Sequence, residues 1–295
     1  MPISTLIAAG ALESGIISDA CDRLSQAGCI PGEIDWLEPG RAIDIHFEGS
    51  IAIARKALAS LETEYDIVVQ PSTNRRKMLL VSDMDSTMIT VECIDELADY
   101  AGIKPEIAAI TERAMAGELD FAEALKARVA LLAGLSENIV AQCLAERVRP
   151  MAGAETLVRN MNAWGAHSIL VSGGFTSFTG PVAEMLGLIE VHANELEYKD
   201  GKLTGALVGA IVDSEAKRRV LEAAARVHNI PLSGAVVVGD GANDLPMIAA
   251  AVEGHGLGVG YHPRSALAAA ANFSVRHNDL TALLFAQGMH RSDWL

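Results

Sequence analysis

The stretch Met78-Leu79-Leu80-Val81-Ser82-Asp83-Met84-Asp85-Ser86-Thr87 runs from a short apolar segment directly into two carboxylates. The apolar part predicts a buried strand. Because burying an unpaired carboxylate is costly, we expect Asp83 and Asp85 in the loop at the strand's carboxyl end, where open α/β sheets bind ligands. Residues two apart in an extended chain point the same way, so both acids can converge on one cation. The alternative is an Asp-Ser-Thr cluster that only caps the next helix.

Two later apolar segments end in polar clusters of the same kind. Residues 166–171 are followed by Ser172-Gly173-Gly174, and residues 235–238 by Gly239-Asp240-Gly241-Ala242-Asn243-Asp244. Ser-Gly-Gly before a helix can turn backbone N–H groups onto an anion, although any strand-to-helix turn favours glycine. A second acidic cluster at a strand end is not explained by an ordinary Gly/Asp turn. Strands that alternate with helices predict a parallel sheet with right-handed connections.

One edge of such a sheet would hold a set of groups that suits phosphoryl transfer. Lys217 follows the predicted helix cap Asp213-Ser214, a position that is usually a surface charge. Carboxylate ligands without histidine or thiolate suit Mg²⁺. A metal, a lysine and backbone amides together are typical of phosphoryl transfer. Asp83 then fits a covalent nucleophile, and Asp85 a general acid/base.

The rest of the chain suggests two domains and a helical cap. Residues 1–74 have the pattern βαββαβ, which predicts a small two-layer α+β unit, and the basic segment Asn74–Lys77 is interpreted as a linker or a solvated strand entry. Residues 75–295 would form the larger α/β domain. Residues 90–150 are almost entirely helical in pattern, and an insertion above a sheet's carboxyl edge makes a natural lid.

Composition limits the function classes. The 295 residues are 50% hydrophobic and 4% aromatic, with a formal net charge of −15. A chain this acidic is a poor general binder of nucleic acid or of anionic lipid. Four cysteines without metal-type spacing are interpreted as reduced thiols of a cytoplasmic protein. No signal peptide or membrane-spanning segment is expected.

The four motifs, Asp83-Met84-Asp85-Ser86-Thr87, Ser172-Gly173-Gly174, Lys217 and Gly239 to Asp244, resemble those of the haloacid dehalogenase superfamily. In detail, residues 77–290 are similar to its phosphoserine phosphatases. The resemblance implies a Rossmann-like parallel sheet with a cap inserted after the first strand, and an Mg²⁺-dependent hydrolysis of O-phospho-L-serine through an aspartyl-phosphate, the last step of L-serine biosynthesis. The resemblance implies that Asp83 is the nucleophile and Asp85 the general acid/base. It implies that Asp83, Asp240 and the main-chain carbonyl of Asp85 bind Mg²⁺, and that Asp244 supports the metal shell. The residues implied to hold the substrate are Ser172, Gly173, Lys217 and Asn243.

Four cap residues match the positions that shape substrate choice in that family. Glu92 would take the substrate ammonium, and Arg128 its carboxylate through a bidentate pair. Met115 and Phe121 would form the apolar wall. Taken alone, Arg128 is typical of an exposed helix arginine.

The N-terminal unit resembles ACT-like regulatory domains in element order only, so serine feedback and a homodimer are open possibilities. Two rival functions also stay open. One is a phosphatase or phosphotransferase for phosphothreonine, phosphohomoserine or another small phosphate. The other is an amino-acid-sensing protein with an inactive phosphatase half, which intact Asp83, Asp85, Lys217 and Asp240 disfavour.

Overall fold

The computed structural model describes residues 1–115 and 118–295, and of Met115 it describes only the backbone. The chain forms a four-stranded sheet near its N-terminus and a seven-stranded sheet after it. Both sheets have apolar cores of aliphatic side chains, consistent with the low aromatic content.

The N-terminal unit follows the predicted βαββαβ order. Its elements are β1 (Pro2–Ala8), α1 (Ser14–Gln26), β2 (Ile30–Glu38), β3 (Ala42–Glu48), α2 (Ile51–Leu58), a short 3-10 helix (Ala59–Thr63) and β4 (Tyr65–Pro71). The strands lie in the order β2-β3-β1-β4, and every neighbouring pair is antiparallel. A separate hydrophobic core lies between this sheet and its two helices, as the alternating pattern predicts.

The larger sheet is mixed rather than purely parallel. Its strands are β5 (Leu79–Ser82), β6 (His167–Phe175), β7 (Glu190–Lys199), β8 (Lys202–Val208), β9 (Ala235–Gly239), β10 (Leu257–Tyr261) and β11 (Phe273–Val275), in the order β11-β10-β9-β5-β6-β7-β8. Strand β8 pairs antiparallel with β7. The two form the hairpin that Asp200-Gly201 predicts, so an all-parallel sheet was wrong at this edge.

The remaining helices fall into two groups. The cap contains α3 (Cys93–Ala101), α4 (Lys104–Met115), α5 (Phe121–Leu131) and α6 (Glu137–Arg147). The helices around the sheet are α7 (Ala154–Ala163), α8 (Thr176–Leu186), α9 (Ser214–Val227), α10 (Leu245–Glu253), α11 (Ser265–Ala270) and α12 (Ala282–Ala286). Asp120 begins α5 with a complete capping box, and Ser136 caps α6, as their positions predict.

Strand β5 lies at the centre of the sheet and is fully buried. It pairs parallel with β6 and β9, with Ser82 opposite Leu170 on one side and Val238 on the other. Because parallel strands align their carboxyl ends, this register brings the segments that follow β5, β6 and β9 to one edge. The sheet therefore assembles three of the four motifs.

The two sheets are joined by buried polar contacts. The carboxylate of Asp66 accepts hydrogen bonds from the backbone N–H groups of residues 276–278, at 2.7 to 3.3 Å. Arg75 pairs with Asp44 at 2.5 Å and donates to the carbonyl of Phe285 at 3.1 Å. The segment interpreted as a linker is thus held in place, and Lys77 within it is buried.

No helix within the described residues is long and apolar enough to cross a lipid bilayer. All four cysteines, Cys21, Cys29, Cys93 and Cys143, are free thiols.

Candidate active site

Asp83 stands at the carboxyl end of β5 and is 3% exposed. Its backbone N–H donates to the carbonyl of Val238, which anchors it to β9. Its Oδ1 contacts the Lys217 ammonium at 2.7 Å and accepts the Met84 backbone N–H at 2.7 Å. Among the described residues, its Oδ2 accepts one longer hydrogen bond, at 3.2 Å, from Asn243. One oxygen is therefore firmly held and the other is largely available.

Lys217 lies in the first turns of α9, is 1% exposed, and bridges two carboxylates. Its Nζ lies 2.7 Å from Asp83 Oδ1 and 2.8 Å from Asp244 Oδ1. Burial acts to lower the pKa of Lys217, but the two carboxylates outweigh burial and hold that pKa above its usual value. The ammonium is therefore a fixed positive charge, unlike the surface lysine that this position usually provides.

Asp244 is fully buried, and both of its oxygens are already bonded. Oδ1 accepts from Lys217, and Oδ2 accepts the backbone N–H groups of Asp240 and Gly241, each at 3.2 Å. A Cβ on Gly239 would lie 2.4 Å from the Asp244 carboxyl carbon, so this packing requires glycine there. Burial and the charge of Asp83 raise the pKa of Asp244.

Asp83, Asp240 and Asp244 form an acidic group whose ligand atoms lie within 4.8 Å of one another. The Asp240 carboxylate accepts no hydrogen bond from any residue of the described ranges, so its oxygens are available. Burial, followed by the charges of Asp83 and Glu92, raises the pKa of Asp240 to about 6. A cation would relieve that repulsion, and an all-oxygen donor set suits a hard divalent ion.

Asp85 lies two residues beyond Asp83, against the Ser172-Gly173-Gly174 segment. A Cβ on Gly174 would lie 3.4 Å from Asp85 Oδ2 and 3.1 Å from Ser172 Oγ. The Oδ1 of Asp85 is buried and has no hydrogen-bond partner within the described part of the chain. Burial, then the charges of Glu92 and Asp83, raise the pKa of Asp85 well above its usual range. A raised pKa favours the protonated form of this carboxyl, which can then act as a proton donor.

Ser172 and Gly173 lie inside β6, not in the turn that the glycines suggest, because β6 continues to Phe175. Ser172 Oγ accepts the Gly174 backbone N–H at 2.8 Å, and Asn194 donates to the Gly173 carbonyl at 2.8 Å. Asn194 is buried on β7 and also accepts the Val212 N–H. No motif in the sequence predicted a role for Asn194, which lies on the neighbouring strand and fixes the Gly173 backbone through its hydrogen bond.

Glu92 and Arg128 come from two cap helices and act on each other electrostatically. Glu92 precedes α3 and accepts a 2.7 Å hydrogen bond from Ser86. Burial lowers the pKa of Arg128, while the charges of Asp95 and Glu92 oppose that change. Within residues 1–115 and 118–295, the Arg128 guanidinium has no carboxylate within ion-pair distance. The cap thus places the Glu92 carboxylate close to Asp240, and the Arg128 guanidinium, which has no ion-pair partner among the described residues, close to Glu92.

The apolar cap residues are only partly described. Phe121 begins α5, and a Cβ on Gly173 would lie 3.1 Å from its Cζ, so the cap approaches the Ser172-Gly173-Gly174 segment closely. The side chain of Met115 lies outside the described residues. No motif in the sequence indicated Arg264, an exposed residue near this edge. Burial raises the pKa values of Asp240 and Glu92, and the positive charge of Arg264 opposes both increases.

Comparison with known proteins agrees with this arrangement. The family model for haloacid dehalogenase-like hydrolases matches residues 80–249, which contain every element of the acidic edge. The chain belongs to this family.

Several curated relatives of this chain carry the name phosphoserine phosphatase. A phosphoserine phosphatase of Albidiferax ferrireducens is 45% identical over 70% of this chain and 87% of its own length. One of Streptomyces coelicolor is 43% identical over 82% of this chain and 58% of its own. The chain spans about three fifths of the length of several such curated relatives.

A solved structure extends the similarity to the N-terminal unit. The unliganded probable phosphoserine phosphatase of Vibrio cholerae matches 97% of this chain and 88% of its own, with a TM-score of 0.76 and 33% identity. The likeness therefore covers both sheets.

Proposed function

We propose that this protein is a phosphoserine phosphatase, which hydrolyses O-phospho-L-serine to L-serine and phosphate as the last step of L-serine biosynthesis. The observation that carries the proposal is the pairing of Asp83 with Lys217 at the end of β5, at 2.7 Å, below a cap that carries Glu92 and Arg128. The names of the relatives support it.

Asp83 is the nucleophile in this proposal. Lys217 and the Met84 N–H hold Oδ1, which leaves Oδ2 to attack phosphorus and form an aspartyl-phosphate. Lys217, the Ser172 hydroxyl and the Gly173 segment bind the phosphoryl oxygens, while Asn243 keeps Oδ2 oriented. The bond from phosphorus to the serine oxygen breaks in the same step.

Asp85 moves the protons. Its raised pKa favours the protonated form, which gives its proton to the departing serine oxygen. The carboxylate that remains then takes a proton from the water that attacks phosphorus. That second step releases phosphate, restores free Asp83 and returns the proton to Asp85.

The proposed metal is Mg²⁺, held by Asp83, Asp240 and the main-chain carbonyl of Asp85. Bound there, it would supply positive charge that offsets the charge of the phosphoryl group and of the acids. Asp244 supports this group rather than binding the ion, because both of its oxygens are already bonded to Lys217 and backbone N–H groups.

The cap sets the choice of substrate. Glu92 would accept the substrate ammonium, and Arg128, which has no ion-pair partner among the described residues, would bind the substrate carboxylate. Phe121, in contact with Gly173, and Met115 would close the apolar side. These contacts require an amino acid attached to the phosphate, so they favour phosphoserine over simple phosphomonoesters.

The testing experiment is phosphate release from L-phosphoserine, D-phosphoserine, phosphothreonine and p-nitrophenyl phosphate, with Mg²⁺ and with EDTA. We expect Mg²⁺-dependent release with a strong preference for L-phosphoserine. Release from the aryl phosphate alone would contradict the roles of Glu92 and Arg128 but keep the chemistry. No release from any substrate would overturn the function.

The N-terminal residues 1–74 are proposed to be an ACT-like regulatory or dimerising domain of a cytoplasmic enzyme, with residues 75–295 as the phosphatase domain. The βαββαβ order and the antiparallel sheet support this. A cavity of about 370 Å³ between the two sheets, lined in part by Arg55, Gln70 and Lys77, could take an anionic or zwitterionic ligand. Equilibrium dialysis with labelled L-serine and sedimentation analysis test the two parts; no binding and a monomer would contradict them.

A further inference from the structure

A second cluster of titratable side chains lies at the opposite end of the larger sheet from the acidic group. His167 is the first residue of β6, Glu190 the first of β7, and His228 follows the last residue of α9. His192 stands two residues into β7. The active-site residues lie at the other ends of the same elements, so this His–Glu cluster (His167, Glu190, His192 and His228) is distinct from the acidic group.

The cluster brings imidazoles onto one carboxylate. His167 Nε2 lies 2.9 Å from Glu190 Oε2, and His192 Nε2 lies 2.6 Å from Glu190 Oε1. The His167 and His228 rings are nearly stacked, with centroids 3.8 Å apart and planes inclined by 31°. One ligand atom each of His167, Glu190 and His228 lies within 4.8 Å of the other two.

These separations are close to those of a metal centre. Bonds of about 2.0–2.1 Å to a tetrahedral ion put neighbouring ligand atoms roughly 3.4 Å apart. Small side-chain rotations are therefore enough to bring the three ligand atoms around one ion. The His228 ring, moreover, forms no hydrogen bond with another side chain or backbone group in the described ranges, so a nitrogen is free to turn inward.

The type of donor atom decides which ion fits. Two imidazole nitrogens and one carboxylate oxygen suit zinc-class ions, whereas Mg²⁺ prefers oxygen alone. The bond from His192 to the second oxygen of Glu190 is the kind of outer contact that orients a metal-binding carboxylate. We propose that His167, Glu190 and His228 bind one divalent transition-metal ion of the zinc class, with His192 orienting Glu190 or serving as a fourth ligand.

The position of the His–Glu cluster determines how a metal ion would reach it and what a bound ion would stabilise. A groove lined in part by Glu190, His192, Val227 and His228 leads to it from the surface. A bound ion would fasten the end of α9 to the starts of β6 and β7. His228 lies 11 positions after Lys217, about 16 Å along the helix. The ion thus stabilises the helix that carries Lys217 without touching the reacting groups.

The experiment uses the full-length chain without a polyhistidine tag, because a tag binds the same ions. Zn²⁺ binding is measured by equilibrium dialysis in excess Mg²⁺, and thermal unfolding is followed with and without Zn²⁺. We expect one site that His167→Ala and His228→Ala each weaken at least ten-fold. Zn²⁺ should raise the melting temperature of the parent chain but not of these variants. The matched control is His290→Ala, an exposed histidine outside the cluster.

A spectroscopic measurement distinguishes a metal ion bound at the His–Glu cluster from one bound at the acidic group. Cu²⁺ bound at the His–Glu cluster should show nitrogen couplings in its paramagnetic resonance spectrum, whereas the acidic group offers carboxylate oxygens only. We expect the nitrogen couplings to weaken in His167→Ala and in His228→Ala, in step with the loss of affinity, and to persist in Asp240→Asn. Equal Zn²⁺ affinity in parent and cluster variants, or nitrogen couplings that are undiminished in both histidine variants, would overturn the proposal.

Discussion

Strand β6 and helix α9 carry a polar cluster at each end, and the two ends differ in their donor atoms. At the carboxyl end of β6 and the start of α9, Ser172 and Lys217 face a group of aspartates. At the opposite ends, His167 and His228 meet Glu190. One end offers oxygens and an ammonium, and the other mostly imidazole nitrogens.

The difference explains why the acidic end suits catalysis and the His–Glu end suits structural binding. Asp83, Asp244 and Lys217 are almost fully buried, so each charge depends on the others and their interactions are poorly screened. His167 and Glu190 are partly exposed, with 18% and 38% of their side chains accessible, so solvent weakens their interaction. Changes at the acidic end should therefore have larger effects than changes at the other end.

The largest effect is expected for Asp83→Asn. The amide cannot act as the nucleophile, so phosphate release from phosphoserine should fall on the order of 10³-fold or more. Zn²⁺ binding at the His–Glu cluster should not change in this variant, which would show that the two ends of the sheet act independently. The control is Asp200→Asn in the β7–β8 turn, where the left-handed backbone accepts asparagine. Retained turnover in Asp83→Asn would exclude the proposed nucleophile.

Lys217→Met should have the largest effect on stability. It leaves Asp83 and Asp244 buried without their cation, a loss of about 3–5 kcal/mol in the free energy of unfolding. Urea unfolding at pH 7.5 in EDTA measures it, and Mg²⁺ should restore part of the loss by replacing the missing charge. Lys126→Met, on the exposed face of α5, should change little. An unchanged unfolding midpoint would mean that the buried carboxylates are not ionised.

Arg128→Ala should act on substrate choice. Loss of the proposed carboxylate contact should raise KM for L-phosphoserine about 10- to 100-fold, equivalent to about 1.4–2.8 kcal/mol. Hydrolysis of p-nitrophenyl phosphate, which has no carboxylate at that position, should be unaffected. Steady-state kinetics on both substrates distinguish the two effects, with Lys126→Ala as the control on the same helix. Equal losses on both substrates would indicate a general effect on the cap instead.

The smallest expected effect is the pH dependence of the unfolding free energy after the metal has been removed. The pKa of Asp240 is raised to about 6 in the folded chain, so its charge costs stability above that pH, and protonation relieves the cost as the pH falls. In EDTA, Asp240 should therefore contribute about 0.5 kcal/mol more stability at pH 5.5 than at pH 7.5, after allowance for its partial exposure.

Asp240→Asn provides the reference for that measurement, since asparagine does not titrate. In EDTA, the unfolding free energy of the parent chain, measured relative to that of Asp240→Asn, should fall by about 0.5 kcal/mol from pH 5.5 to pH 7.5. Saturating Mg²⁺ should reverse that fall by offsetting the charge of Asp240. A difference that does not depend on pH in EDTA would contradict the raised pKa.

Much of the fold was predictable because short stretches of sequence, such as apolar runs, helix caps and turns, determine it. The apolar run 79–82, the cap helices that begin after Asp120 and Ser136, and the hairpin at Asp200-Gly201 all follow from nearest-neighbour chemistry. The continuation of β6 through the glycines was missed, since it depends on pairing with β7. Arg75 and Lys77 were interpreted as part of a linker or a solvated strand entry, because their partners lie far away in the chain.

The sequence by itself determined the acidic edge, because each motif is a short contiguous segment at the end of an apolar strand, and parallel pairing aligns such ends. It also indicated Glu92 and Arg128 through their resemblance to a known cap. Only the tertiary structure decided which oxygens of Asp83 and Asp244 are already bonded, that Asn194 holds Gly173, and that His167, Glu190 and His228 meet. These contacts join residues that are far apart in the chain and carry no local signal, so only packing of the strands and helices brings them together.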